Sequence, residues 1–216
     1  MMTRRTFMIA PAAVGVSGGG PGAGVPASGR IAFRVMRKGS QIGTHSIEFR
    51  RAGDVLDATI DIRLAVTFGP FTLFRYRMMG VETWRDDRFA ELTTTTDNDG
   101  EALRVTAKRG PGGIVVESNK YGRQTLSADA LPLNHWNIAN MTAPLFNPQS
   151  GRLMQLTGKA LGTTRVALAS GAEVPATHFS LTGEATLDDW YDANNVWTAL
   201  RSVAKDGSII DYQRLS

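Results

Sequence analysis

From Leu56 to Phe68 the chain alternates. Leu56, Ala58, Ile60, Ile62, Leu64, Val66 and Phe68 fall on one parity; Asp57, Thr59, Asp61, Arg63, Ala65 and Thr67 fall on the other. Period two places successive side chains on opposite faces, so the stretch predicts one long strand buried on one side. A strand of that length points to a large, curved antiparallel sheet rather than a small sandwich. The rhythm recurs at Ile31, Phe33, Val35 and at His45, Ile47, Phe49. It recurs again at Phe74, Tyr76, Met78 with Trp84, at Leu103, Val105, Ala107, and at Ile114 to Val116. Further strands are predicted at Val166–Leu168 and near 174–182, 196–203 and 209–215.

Turn chemistry separates these runs. Lys38-Gly39-Ser40, Arg51-Ala52-Gly53-Asp54, Asp97-Asn98-Asp99-Gly100, Arg109-Gly110-Pro111-Gly112-Gly113, Ala169-Ser170-Gly171-Ala172 and Lys205-Asp206-Gly207-Ser208 all read as hairpin connections. One stretch, Ala130 to Met141, has no period two. Leu133, Trp136, Asn137, Asn140 and Met141 would share a helical face, which predicts a short helix over Asn134–Met141 with Asn134 as its N-cap. The expected fold is all-β: a single strongly curved antiparallel sheet, a half-barrel or open barrel, with one short helix. It forms one domain over residues 28–216.

The first 27 residues stand apart. Thr3-Arg4-Arg5-Thr6-Phe7 fits a twin-arginine pattern, followed by an apolar run to Val16 that is too short to span a bilayer. Val25-Pro26-Ala27 supplies the small residues of a cleavage site. Residues 1–27 therefore read as a twin-arginine export signal that is removed, giving a periplasmic protein whose first partner is the twin-arginine translocase. No transmembrane segment is expected in the mature chain.

Composition narrows the chemistry. The chain has no Cys and three His, which excludes iron–sulfur and thiolate metal sites and any disulfide. Of 24 basic and 20 acidic residues, two arginines lie in the leader, so the remainder nets +2. Basic residues cluster no further than pairs, so nucleic acid is not an expected partner. No nucleophile elbow, phosphate loop or His-Glu-x-x-His stretch occurs. Asp97-Asn98-Asp99-Gly100-Glu101 resembles a calcium loop, but its twelfth position is Lys108, and the stretch reads as a hairpin turn. No cofactor and no metal site are expected.

Two stretches carry candidate site residues. In Asp188-Asp189-Trp190-Tyr191-Asp192-Ala193-Asn194-Asn195-Val196-Trp197, Trp190 and Tyr191 would line a ligand mouth with Asp189 or Asp192 orienting the ligand. The plainer reading is a strand ending in an Asp-Ala-Asn-Asn turn, with both Trp in the core. The other stretch is His135-Trp136-Asn137, where His135 would act as base or ligand, or serve structure alone. His45 and His178 both sit on predicted strands. The candidate ligand-binding set is Trp136, Trp190, Tyr191, His135 and Asp192, with no catalytic residue assigned.

The leader, the opening strand with Gly39-Ser40-Gln41-Ile42-Gly43, the central His135-Trp136-Asn137, and the closing Asp189-Trp190-Tyr191-Asp192 and Asp206 to Tyr212 occur in one order along nearly the whole mature chain. In that order they resemble the exported bacterial family known as domain of unknown function 6134. The resemblance implies a one-domain periplasmic β-fold, similar to envelope half-barrels that hold lipid-like ligands. It brings no catalytic residue.

Three functional expectations follow. The first is a module that binds or carries an apolar or amphiphilic ligand on a concave face lined by Ile60, Ile62, Leu64, Phe74, Tyr76 and Met78. The second is an enzyme using His135 with Asp189 or Asp192 as acid–base groups. The third is an envelope scaffold presenting an open strand edge or apolar patch.

Overall fold

The computed structural model describes residues 24–68, 71–204 and 206–215. Most of the predicted leader lies outside the described residues. Gly24, just ahead of the predicted cleavage point, is buried, and Val25 packs against the core.

The chain enters at the middle of its sheet. β1 (Arg30–Arg37) pairs antiparallel with β2 (Ser40–Ala52) on one side and with the last strand, β16 (Ile209–Arg214), on the other. From β2 the sheet grows by successive hairpins: β3 (Val55–Phe68), β4 (Phe71–Arg85), β5 (Arg88–Asn98), β6 (Glu101–Gly110), β7 (Gly113–Ser118) and β8 (Gly122–Leu126). The other wing runs from the far edge inward: β12 (Leu156–Ala167), β13 (Glu173–Gly183), β14 (Leu187–Tyr191), β15 (Trp197–Val203), then β16. The result is one 13-stranded antiparallel sheet whose edges, β12 and β8, are not paired with each other. It is the open, barrel-like all-β sheet that the alternation predicts.

The expected turns join the strands. Lys38 (φ 49°) with Gly39 (φ 78°), and Asp99 (φ 54°) with Gly100 (φ 93°), supply the positive dihedrals of two-residue hairpins. The apolar parity of β3 faces inward: Leu56, Ala58, Ile60 and Ile62 are buried.

Residues 127–155 carry the chain from the β8 edge to the β12 edge. They contain β9 (Leu131–Pro132), a single 3-10 turn (Ile138–Met141), β10 (Leu145–Phe146) and β11 (Leu153–Met154), and the three short strands form a small sheet of their own. This crossing segment lies against the inner face of the large sheet. Trp136, Met141, Leu145 and Phe146 are buried in the common core. On one wing, Asn134 Nδ2 donates to Glu82 on β4 (2.8 Å), Thr94 on β5 donates to the Pro148 carbonyl (2.6 Å), and Gln124 on β8 donates to the Gly151 carbonyl (2.6 Å). On the other wing, Gly158 on β12 lies so close to the segment that a Cβ there would collide with the Met141 carbonyl.

The predicted helix is shorter and starts later than the sequence pattern suggests. It spans Ile138–Met141 and is capped by Asn137, whose side chain accepts from the Ala139 amide. The reason lies in the asparagines. Asn140 Oδ1 accepts from the Asn134 and His135 amides (3.0 and 3.1 Å), and Asn140 Nδ2 donates to the Pro132 carbonyl. With those bonds made, His135 sits at φ 61°, outside the right-handed helical region, so no helix starts before it.

Candidate functional site

A cavity of about 280 Å³ lies between the inner sheet face and the crossing segment. Its sheet wall comprises Ile60, Ile62 and Leu64 of β3, Phe74, Tyr76 and Met78 of β4, His45 of β2 and Tyr212 of β16. The six residues read from the sequence as a concave lining all reach it. Leu133, Asn134, His135, Asn147, Pro148 and Gln149 of the crossing segment close the opposite side. The wall is apolar along β3 and β4 and polar where β2, β16 and the crossing segment meet.

His135 is the most constrained polar group there. Its Nδ1 lies 3.1 Å from Asp189 Oδ2. A carboxylate can only accept, so Nδ1 carries the proton and Nε2 is left as the open position. The imidazole stacks on Trp197, centroids 5.3 Å apart and planes 17° from parallel. Trp197 Nε1 donates to Asp189 Oδ1 (2.9 Å), and the Tyr191 hydroxyl donates to the His135 carbonyl (2.6 Å). Asp189 is fully buried, and its two donors compensate its charge. An imidazole held this way presents a hydrogen-bonding nitrogen in a fixed direction, as ligand recognition or proton transfer requires.

The His45 ring lines the same cavity and, among the described residues, hydrogen-bonds to nothing. It is 4% exposed, both ring nitrogens lack a partner, and its ring lies 5.3 Å from Trp197 and 5.7 Å from Tyr212. Burial, with His135 nearby, pushes its pKa down to about 3, so it is neutral at neutral pH. Glu82 is the third buried group. One oxygen accepts from Trp84 Nε1 (3.2 Å), Asn134 Nδ2 (2.8 Å) and Trp136 Nε1 (3.0 Å), while Oε1 has no partner. Burial raises its carboxyl to about 7 despite the three donors.

The family model described as domain of unknown function (DUF6134) matches residues 33–215. The chain belongs to that family. No curated protein matches it in sequence. Among solved structures it is similar to the crystal structure of a beta-barrel-like protein of domain of unknown function DUF1849 from Brucella abortus. The TM-score is 0.61 with 12% identity, covering 86% of this chain and 94% of that one. At that identity the likeness speaks for the fold alone.

In this DUF6134 chain the candidate residues read from the sequence divide. His135 lines the cavity. Trp136 and Tyr191 are fully buried behind the wall, Trp136 bonded to Glu82 and Tyr191 to the His135 backbone. Asp192 caps the turn after β14, accepting from the Asn194 and Val196 amides. Trp190 is on the opposite face of β14, so the plainer expectation that both Trp enter the core holds for Trp197 only. There Trp190 stacks on His178 (4.3 Å) and donates to Thr164 (2.9 Å), and His178 Nε2 meets Asp188 at 2.9 Å.

His45, Glu82 and Tyr212 were not in the candidate set. The readable signal was parity. His45 shares the inward parity of Ile47 and Phe49, and Glu82 that of Met78 and Trp84. A larger hollow of about 420 Å³ near Trp84, Arg88 and Asp129 is more open, and its Arg109 is committed to the Phe89 and Ala128 carbonyls. Among the described residues no group of three or more His, Asp or Glu is arranged to hold a metal, and no helix is long and apolar enough to cross a membrane.

Proposed function

We propose that this DUF6134 protein is an exported, periplasmic module that binds or carries a small apolar or amphiphilic ligand in the half-barrel. The observation that carries the reading is the cavity: an apolar wall on β3 and β4 facing a polar end in which His45 has no internal partner. Ligand pockets are mostly apolar with a few placed polar groups. At about 280 Å³ this one falls just below the roughly 300–1,000 Å³ range for such sites, which favours a single-chain molecule over a two-chain lipid. The twin-arginine pattern and the cleavage motif support export. The cavity also weighs against the scaffold reading, which needs a surface without a pocket.

A second reading has its own observation. His135 and Asp189 stand at 3.1 Å, within the reach an acid–base pair requires, whereas Asp192 serves a turn. That geometry supports an enzyme acting on the same ligand with Nε2 as the base.

Native mass spectrometry of protein exported by its own leader tests the reading. An added mass released by organic solvent is the expected result. A bare chain that also fails to take up any single-chain amphiphile would overturn it.

A further inference from the structure

We propose that Gly24–Ala27 stay with the folded domain after export, as a brace on the crossing segment, and that the leader is cut ahead of Gly24 rather than after Ala27. The inference rests on the export reading and moves the cut within it.

Gly24 is buried against two backbone carbonyls from distant parts of the chain. A Cβ there would stand 3.0 Å from the Asn195 oxygen and 3.1 Å from the Trp136 oxygen. Asn195 belongs to the turn between β14 and β15, and Trp136 to the crossing segment. Gly24 also has φ 117°, a conformation that residues with a Cβ rarely adopt. Both constraints call for glycine, and both exist only in the folded protein. Neither acts on a residue that is discarded with the leader.

Val25 follows and packs against the core. The Pro26 carbonyl accepts from the Gly29 amide at 2.9 Å, and the Gly29 carbonyl accepts from the Phe49 amide on β2 at 2.8 Å. The bond between Ala27 and Ser28 is therefore the middle bond of a tight turn, held at both ends.

A peptidase takes the residues before its cut as an extended segment, with small side chains at the −3 and −1 positions. A cut after Ala27 needs Val25 at −3, drawn out of the core, and the turn opened. A twin-arginine passenger crosses the membrane already folded, so the peptidase meets this packed arrangement. A cut ahead of Gly24 disturbs none of these contacts. Small residues for the −1 position are present there in Ser17, Gly18, Gly19, Gly20, Gly22 and Ala23. The brace bears on the cavity as well. Trp136 adjoins His135, so fixing its backbone also steadies the polar side of the cavity wall.

The test uses the full chain exported by its own leader, with intact mass and N-terminal sequence read on the periplasmic product. The expected product begins at or ahead of Gly24. Ala27→Leu places a bulky side chain at the −1 position of the alternative cut, on an exposed turn position. Its processing is expected to be unchanged, with the same N-terminus. Gly24→Ala is expected to lower the urea midpoint of the processed protein by roughly 0.5 M, because the residue is still present in it. A product beginning at Ser28, blocked processing of Ala27→Leu, or a processed Gly24→Ala protein as stable as the unsubstituted one would each overturn the proposal. A chain that keeps its whole leader inside the cell would remove the export reading, and the cut with it; the midpoint of Gly24→Ala in that unprocessed chain would still report the brace.

Discussion

β14 carries two neighbouring aspartates, and each holds a histidine beside a tryptophan. Asp189 points inward to His135 and Trp197; Asp188 points outward to His178 beside Trp190. The contacts are alike: 3.1 Å against 2.9 Å for His–Asp, and stacked rings in both. The settings are not. Asp189 is fully buried and Trp197 with it, whereas the side chain of Asp188 is 26% exposed. The inner histidine comes from the crossing segment, and the outer one from the adjacent strand. One chemical motif thus serves two purposes. Inside, it ties the crossing segment to the sheet and shapes a cavity; outside, water competes for every bond it makes.

Truncation should separate the two most. Trp197→Ala is expected to cost about 4 kcal/mol in urea unfolding, as for a fully buried aromatic. Trp190→Ala should cost about 1 kcal/mol, because that ring is only partly buried. Equal losses would break the comparison.

The aspartates come next. Asp189→Ala leaves the Trp197 N–H and the His135 Nδ1–H without partners in the interior, and about 3 kcal/mol is expected to be lost. Asp188→Ala should change stability by about 0.5 kcal/mol or less.

A smaller net effect comes from pH, since two inner groups oppose each other. His45 falls from 6.5 unfolded to about 3 folded. The unfolded chain therefore binds the extra proton between those values, and stability rises with pH across that window. Glu82 rises from 4.5 unfolded to about 7 folded. Here the folded chain holds the extra proton, so its contribution is present below pH 4.5 and lost as pH climbs towards 7. The two nearly cancel from 4.5 to 6.5, leaving a rise at acid pH and a shallow fall near 7. Glu82→Gln should remove the fall and extend the rise from acid pH up to about 6.5, as read by urea unfolding at several pH values.

Much of this was legible in the chain. Alternation from Leu56 to Phe68 told both the strand and its inner face, and together with the same parity on β4 it named six of the eight sheet residues that wall the cavity. Six hairpins followed from their Gly-containing turns, whereas the Asp86-Asp87 turn between β4 and β5, with both residues at positive φ and no Gly, was not among them. The crossing segment was only partly legible. Its break in period was visible, but which edges it joins depends on the order of distant strands. The site was harder because its polar members come from β2, β4, β14, β16 and residues 133–149, and no local spacing announces their convergence. Asp189 and Asp188 are adjacent, and pattern alone did not say which faced inward. Trp190 drew attention for its neighbours, yet Tyr191 holds the inward parity with Asp189.

The protein's three histidines permit one direct test. With the imidazoles labelled by carbon-13 and nitrogen-15, decanoate, a single-chain amphiphile, would be titrated into the protein and the ring signals followed by NMR. The account predicts saturable shifts of His45 and His135 with one common affinity, and no shift of His178. Movement of His178 alone, or of no histidine while binding is registered by calorimetry, would contradict it.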